Sequence, residues 1–390
     1  MTKHPATEWL QTRQDEMTQL LREIVNIDSH SLDKPGVDAV GAHLRAWLEG
    51  FGIECSISGL EGRGDAMHAV VPAQQGGDAS RRVLLMGHMD TVFPSGEAAR
   101  RPFSISGSRG HGPGCADMKA GLVMNAFILR AFAETGTAPF TLEALFTGDE
   151  EIGSPGSAPI ILDAAQRAIA VFNAEPGRLS GNVVNQRRGG AFYRVSITGL
   201  AAHAGLNPAD GRSAIHELGR KIVAWNRLSN VERDVSVNVG LVNGGQSVNT
   251  VAPWSTCEID LRFTHPEDES IYNDAITKIA LNASEDGITS TIERMGGFSP
   301  MAKNDGSDRL TDVYLRAARN LGLATDVEFT RSCADSGLAS STGTPTICAT
   351  GPVGHMAHRP DEYVELDTFV PRAATVALSI LSLAEMKQFP

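Results

Sequence analysis

Apolar residues in the first fifty positions recur at the spacing of helices, and the pattern changes to short strands from about residue 51. Two helices are predicted in the first part, at 9–25 and 37–48. Beyond them, short apolar stretches alternate with helical segments and Gly-rich turns, which predicts βαβ units and a mostly parallel sheet. The predicted elements here are strands at 68–72, 82–86, 141–146 and 168–172 and a helix at 119–134.

A different pattern begins near residue 188, where strands alternate apolar and polar residues. The predicted elements are strands at 192–198, 235–242, 256–263 and 289–294 and helices at 212–226 and 268–281. Their order along the chain is that of the ferredoxin-like fold, a four-stranded antiparallel sheet with two helices.

After Pro300 the α/β pattern resumes, with helices at 308–321 and 368–383 and a strand at 345–349. The fold class predicted is therefore α/β, with one domain formed by residues 1–187 and 298–390. An inserted α+β domain, residues 188–297, interrupts it.

The net charge and the cysteine content limit the binding partners and the cellular compartment expected for this 390-residue chain. Its net charge of −12 disfavours nonspecific binding to nucleic acid or to an anionic membrane surface. Five scattered cysteines without a CxxC pair form a poor disulfide framework and suit a reducing compartment. The N-terminus has no apolar signal segment, and no apolar stretch approaches the roughly 20 residues needed to span a bilayer. These features predict a cytoplasmic protein.

Histidines and acids follow several strands of the predicted α/β domain, where open parallel sheets bind their ligands. They are His88 and Asp90 after the second strand, Asp149, Glu150 and Glu151 after the third, Glu175 after the fourth, and His355 and His358 after the strand at 345–349. A Gly-rich turn also places Asp117 just before the helix at 119–134. Side chains gathered at one sheet edge predict a single site.

Imidazole and carboxylate ligands favour zinc, with cobalt or manganese as substitutes. A set of two histidines, two glutamates and one aspartate has too many ligands for one tetrahedral ion that keeps a water. Such a set fits two ions bridged by a carboxylate. Of the adjacent acids Glu150 and Glu151, one would then be left as a general base. Each motif alone has a structural explanation, since acids stabilise helix N-termini and loop histidines often face solvent. Their joint occurrence after strands of one domain favours a metal centre.

Five segments resemble, in the correct order, the signature segments of a zinc-dependent amidohydrolase and exopeptidase family. That family comprises acetylornithine deacetylase, succinyl-diaminopimelate desuccinylase, aminoacylase and the glutamate carboxypeptidases. The segments are GHMDTVFPSG (87–96), GPGCADMKAG (112–121), TGDEEIGSPGS (147–157), NAEP (173–176) and HRPDEYV (358–364). Two segments of the inserted domain, 199–215 and 237–253, look most like the glutamate carboxypeptidase branch. The resemblance implies a zinc exopeptidase-like catalytic domain with an inserted lid and dimerisation domain.

The resemblance assigns the five ligands to two zinc ions. His88 and Glu175 would hold one ion, Glu151 and His358 the other, and Asp117 would bridge them.

It further makes Glu150 the general base and Asp90 the acid that orients His88. The peptide bond between Asp117 and Met118 is expected to be cis. The implied reaction is hydrolysis of an amide by a water that bridges the two ions and gives its proton to Glu150.

In the inserted domain, the resemblance matches His203, Asn249 and Arg262 to residues that complete the site. His203 would help hold the oxyanion or the substrate carboxylate, and it often reaches across from a partner subunit in this family. Asn249 and Arg262 would bind the substrate carboxylate, for which a guanidinium is chemically apt. The expected substrate is a small amide or peptide with a free carboxylate, and the expected assembly is a homodimer through the lid.

The chain departs from the family at Arg331–Asp335, where relatives carry a Gly-Gly-Gly-Ser/Thr-Asp turn. Side chains in place of glycines predict an altered specificity pocket and leave a preference for glutamate open. His355 stands where a small residue is expected, either as a substrate contact or as a solvated loop histidine.

Other functions stay open at this point. Within the family, the chain could be an N-acyl-amino-acid deacylase, a dipeptidase or a hydrolase of another small amide. A thiol amidase would use Cys115 or Cys333, although an acidic neighbourhood such as that of Cys115 disfavours a thiolate. A non-catalytic binding relative would keep the ligands without turnover.

Overall fold

The computed structural model describes residues 4–74 and 76–386. These residues form two compact units. The first, here called the α/β unit, contains the chain up to Gln186, Lys303–Thr330 and the chain from Ala334 onward. The second, here called the insert, contains Arg187–Ala302 together with Arg331–Cys333. The insert thus runs to Ala302 instead of the predicted 297, and it includes three residues from the divergent turn.

The strands and helices are numbered in chain order. The strands are β1 (Glu54–Ser58), β2 (Ala66–Val71), β3 (Asp78–His88), β4 (Ser104–Ser106), β5 (Arg109–His111), β6 (Phe140–Thr147), β7 (Ala170–Asn173), β8 (Val183–Arg187), β9 (Gly189–Thr198), β10 (Ser236–Gly244), β11 (Trp254–Phe263), β12 (Thr289–Phe298), β13 (Val327–Thr330), β14 (Thr346–Ile347), β15 (Gly354–His355) and β16 (Tyr363–Glu365). The helices are α1 (Pro5–Leu10), α2 (Gln14–Val25), α3 (Lys34–Glu49), α4 (Glu97–Arg100), α5 (Ala120–Thr135), α6 (Ala158–Gln166), α7 (Ala214–Asn226), α8 (Pro266–Leu281), α9 (Asp305–Asn320), α10 (Ser336–Ser341) and α11 (Phe369–Glu385).

A six-stranded sheet in the order β1-β2-β6-β3-β7-β14 forms the centre of the α/β unit. Strands β6, β3, β7 and β14 are parallel, and β1 and β2 extend the sheet as antiparallel strands. Every residue of β6 is buried, as expected for a strand covered on both faces. The larger core lies with α1, α2, α3, α5, α9 and α11, and a smaller core lies with α6 and α10. The predicted α/β class with a mostly parallel sheet is confirmed.

Helix α5 lies very close to the end of β7. A Cβ atom on Gly121 would come within 2.1 Å of the Ala174 carbonyl oxygen, so only glycine permits this approach. The close packing brings the turn that precedes α5 next to the segment that follows β7.

The insert has a four-stranded antiparallel sheet in the order β10-β11-β9-β12. Burial alternates along β11, because one face packs against α7 and α8 and the other does not. Trp225 and Tyr193 are among its largest buried side chains. The predicted order of strands and helices is the observed one.

The expectation that no stretch approaches the length of a membrane span is wrong. Leu366–Glu385 is long and apolar enough by length and composition, but 61% of its most apolar window is buried inside the structure. Its helix, α11, packs against α5 and α9, so its apolar character serves the protein core.

Candidate metal centre

The ends of three parallel strands bring acidic residues to His88. In the register of the sheet, His88 at the end of β3 lies beside Thr147 of β6, and Met86 lies beside Asn173 of β7. Glu150 and Glu151 follow Thr147 in a short helical turn, and Glu175 comes two residues after Asn173. Sheet topology alone therefore gathers these side chains at one edge.

Asp117 lies in an irregular helical turn, Cys115–Lys119, that enters α5. Glu362 anchors this turn, because its carboxylate accepts hydrogen bonds from the N–H groups of Gly114, Ala116 and Asp117 at 3.0, 2.8 and 3.0 Å. The peptide bond between Asp117 and Met118 is cis. The sequence analysis did not single out Glu362, whose only signal was an acid four positions after His358.

The five proposed ligands lie close together around two histidines, His88 and His358. Asp117 lies between two imidazoles, with Oδ1 3.3 Å from Nε2 of His88 and Oδ2 3.5 Å from Nε2 of His358. Glu175 lies on the His88 side at 3.8 Å, and Glu151 lies on the His358 side at 3.0 Å. A carboxylate facing one histidine with each oxygen is arranged as a bridging ligand would be.

The donor set fits divalent cations. Ligand atoms of His88, Asp117 and Glu151 lie within 4.8 Å of one another, as do those of His88, Glu150 and Glu175. Among the described residues, Oε1 of Glu151 is buried without a hydrogen-bond partner, and a cation would satisfy it. Glu150 is about as close to His88, at 3.9 Å, as Glu175 is. The distances from His88 therefore do not show which of Glu150 and Glu175 is the general base and which is the ligand. The two roles have to be distinguished by their chemistry.

Burial and neighbouring charges shift the pKa values of several groups in the site. Burial raises the pKa of Glu150 well above its ordinary value, with a further contribution from Glu175. Burial and the charge of Asp117 raise the pKa of Glu151 to about 7. Hydrogen bonds to Asp117 and Glu151 raise the pKa of His358 to about 10. A cation bound at these carboxylates would offset the burial and the like charges that raise their pKa values.

Asp90 supports both the histidine and the acidic turn. Nδ1 of His88 donates to the Asp90 carbonyl oxygen at 2.9 Å, which leaves Nε2 to face the acids. The Asp90 carboxylate accepts the N–H groups of Glu150 and Glu151, both at 3.1 Å, and the hydroxyl of Ser31 at 2.6 Å. It therefore does more than the predicted orientation of His88, because it also fixes the backbone that carries Glu150.

A second buried acid, Asp335, is hydrogen-bonded to residues that flank the same turn. It accepts hydrogen bonds from the hydroxyls of Ser154 and Thr147, and burial raises its pKa to about 7. The divergent Arg331–Asp335 segment thus keeps an acid at its last position.

The proposed substrate-binding residues of the insert lie at two positions. His203 and Asn249 lie on adjacent backbone segments, where the N–H of Ala204 donates to the Asn249 carbonyl oxygen at 2.9 Å. Arg262 lies on β11, where its Nε donates to Asp260 at 2.7 Å and its guanidinium lies over the ring of Phe192. Each place is organised by local contacts.

The divergent turn contacts Arg262 within the insert. Nη1 of Arg262 lies 2.8 Å from Sγ of Cys333, and Arg187 donates to the Cys333 carbonyl oxygen at 3.1 Å. Burial raises the pKa of the Cys333 thiol, and it raises that of Cys115 well above its ordinary value. Both shifts oppose formation of a thiolate, so neither cysteine has the environment of a nucleophile.

The fold and the strand-end site together define a hydrolase of the metallopeptidase class. The chain belongs to peptidase family M20/M25/M40, whose sequence model matches residues 84–382.

Relatives with similar sequences agree with this assignment, and a solved structure shares the fold. The chain is 28% identical to carboxypeptidase G2 of Pseudomonas sp. (strain RS-16) over 96% of this chain and 91% of that protein. It is 25% identical to acetylornithine deacetylase of Proteus mirabilis over 84% of this chain and 85% of that protein. The fold is similar to a tripeptidase from Staphylococcus aureus, with a TM-score of 0.76, 21% identity and coverage of 96% and 99% of the two chains.

Proposed function

We propose that the protein is a two-zinc hydrolase that cleaves an amide bond next to a carboxylate-bearing amino acid, as a carboxypeptidase or an N-acyl-amino-acid deacylase. The observation that supports it best is the position of Asp117 between His88 and His358, with Glu175 and Glu151 beside them. Cobalt or manganese could replace zinc at such ligands.

When bound, a pair of such ions acidifies a water molecule and polarises a carbonyl group. The protein's own part centres on Glu150. Its carboxylate takes the proton of the attacking water and later passes it to the nitrogen of the leaving amine. Asp90 holds the backbone of Glu150 and the ring of His88, so base and ligand keep a fixed relation.

The insert would act as a lid that reads the substrate carboxylate through Arg262, Asn249 and His203. Asp260 and Cys333 use two of the five N–H donors of the Arg262 guanidinium. The donors that remain suffice for a two-point contact with a carboxylate.

A homodimer through the insert is part of the proposal. Strand β10 forms an edge of the insert sheet and carries the exposed apolar residues Leu241 and Val242. Edge strands of this kind pair readily with another chain. Light scattering of the intact protein, compared with a Leu241→Lys variant, tests this assembly. A parent protein that stays monomeric at every concentration would contradict it.

A reducing cytoplasmic location is also proposed, because all five cysteines are free and three of them are buried.

The deciding experiment is a substrate screen with metal analysis. The zinc-loaded protein is offered N-acyl amino acids, dipeptides and folate-type glutamates, and released amine is measured. We expect release only with bound metal and only from substrates with a free carboxylate. Two bound ions with no amine released from any substrate would favour the non-catalytic relative.

A further inference from the structure

A cleft of about 360 Å³ lies in the α/β unit beside the proposed ligands. Its walls are the segments 176–180 and 354–357, together with Ala116 and Glu328. The segment 354–357 includes His355, one of the two departures from the family pattern.

The cleft shares its backbone with the metal centre. Ala116 directly precedes Asp117, Pro176 directly follows Glu175, and Ala357 directly precedes His358. Three of the five proposed ligands are therefore flanked by residues of the cleft wall. The cleft therefore adjoins the backbone that carries these ligands.

Arg178 and Glu328 form an ion pair in the cleft. Nε of Arg178 donates to Oε1 of Glu328 at 2.8 Å. The other oxygen, Oε2, accepts from Ser180 and from Asn182, both at 3.1 Å. Both carboxylate oxygens are thus engaged, and Glu328 is the only acid among the lining residues. The cleft offers no carboxylate that could bind a substrate ammonium group.

The remaining wall is largely apolar. Leu179, which is 56% exposed, lines the cleft together with Met356 and Ala357, and an apolar ligand would cover this surface favourably. His355 is exposed at the same wall, and its ring meets Tyr363 edge-on at 6.4 Å between centroids.

We propose that this cleft binds the acyl half of the substrate and selects uncharged, apolar acyl groups larger than acetyl. The inference rests on the proposed function, which gives the carboxylate-bearing amine half to the insert and leaves the acyl half to the α/β unit. A free dipeptide would bring an ammonium group into a cleft whose one acid is already engaged. The natural substrates are therefore N-acyl amino acids in preference to dipeptides.

The first test compares acyl groups on one leaving amino acid. The zinc-loaded protein is assayed with N-acetyl, N-butanoyl and N-hexanoyl forms and with the matching dipeptide. Burial of each added methylene should raise kcat/KM by about fourfold until the cleft is filled. The dipeptide should be the poorest substrate. A flat series, or a dipeptide that is hydrolysed best, would overturn the inference.

A binding measurement keeps this test separate from a failure of the proposed function. Calorimetry of the metal-loaded Glu150→Gln protein compares the N-hexanoyl and N-acetyl amino acids without turnover. Tighter binding of the hexanoyl form supports the cleft even if the parent protein hydrolyses nothing. Equal binding of the two forms contradicts it even if hydrolysis occurs.

Variants locate the effect. Leu179→Asp places a charge in the wall and should remove the advantage of hexanoyl over acetyl, measured as the ratio of the two kcat/KM values. Ile105→Asp, at another partly exposed apolar residue of the α/β unit, is the matched control and should keep the full advantage. Loss of the advantage in both variants, or in neither, would place the acyl group elsewhere.

Discussion

The candidate metal centre and the proposed substrate residues of the insert are built in different ways. At the centre, side chains from residues 88 to 358 lie within hydrogen-bonding or near-contact distance of one another. In the insert, Arg262 is held by Asp260 and Cys333, while His203 and Asn249 share another place.

The difference has a topological cause. Parallel strands end at one edge, so a residue just after a strand has its neighbours set by the sheet order. A residue on an antiparallel strand or in a turn gains its partners from contacts that no strand end dictates. Removing any one residue of the metal centre should therefore disturb the whole centre. Removing one residue of the insert should affect only the contacts which that residue makes.

The largest effect is expected from removing the bridging acid. Asp117→Ala should lose both ions and all measurable hydrolysis, because each carboxylate oxygen faces a different histidine. His358→Ala should lose one ion. Metal content by mass spectrometry is the measurement, and Asp163→Ala, an exposed acid of α6, is the control. Full activity of the metal-stripped parent protein would contradict the proposal that two metal ions take part in catalysis.

Next in size is the separation of base from ligand at the acidic turn. Glu150→Gln should keep both ions and lose about 10²–10⁴-fold in kcat, the usual contribution of a general base. Glu151→Gln should also weaken one ion, since Glu151 lies 3.0 Å from His358. If Glu150→Gln lost the ion and Glu151→Gln kept it, the two roles would be reversed.

The insert side of the comparison is tested through Arg262. Arg262→Ala should keep both ions and lower kcat/KM by about 2–5 kcal/mol for substrates with a free carboxylate. A substrate with an amide in place of the carboxylate should be poor with the parent protein and lose little more in the variant. Arg194→Ala, on neighbouring β9, should behave as the parent. Equal losses on both substrates would show that Arg262 supports the fold of the insert.

The smallest expected effect concerns Glu362, which touches the centre only through backbone. Glu362→Gln keeps the shape but offers one accepting oxygen to three N–H groups. Loss of a supporting contact of this kind typically costs about 10–100-fold in metal affinity. Titration with a metal-sensitive dye measures it, with Glu365→Gln in the adjoining strand β16 as control. An unchanged metal affinity would mean that the turn around Asp117 keeps its conformation without the Glu362 carboxylate.

Long apolar strands and strand-end acids could be predicted from the sequence, because burial on both faces leaves a continuous apolar run. Short elements could not. Strands β15 and β16 have two and three residues, too few to show a period. Helix α7 begins at Ala214, two residues later than predicted, because Ser213 caps it by accepting the N–H of His216.

Supporting residues were missed for a related reason. A buried acid such as Asp335 or Glu362 looks in sequence like any surface acid, and only its distant partners reveal its role. The same holds for Cys333, whose contact with Arg262 joins positions 71 residues apart.

The anchoring of the Asp117 turn by Glu362 also bears on how the protein is made. Ribosomes release a chain from its N-terminus, so His88, Asp117, Glu151 and Glu175 emerge long before His358 and Glu362. The insert has a hydrophobic core of its own, made from residues 191–288, and can close while the last part is still being synthesised. Until Glu362 arrives, the nascent chain carries a cluster of acids without the carboxylate that holds their turn. A metal ion bound by the proposed ligands would therefore find its complete site only after translation has passed the final strand.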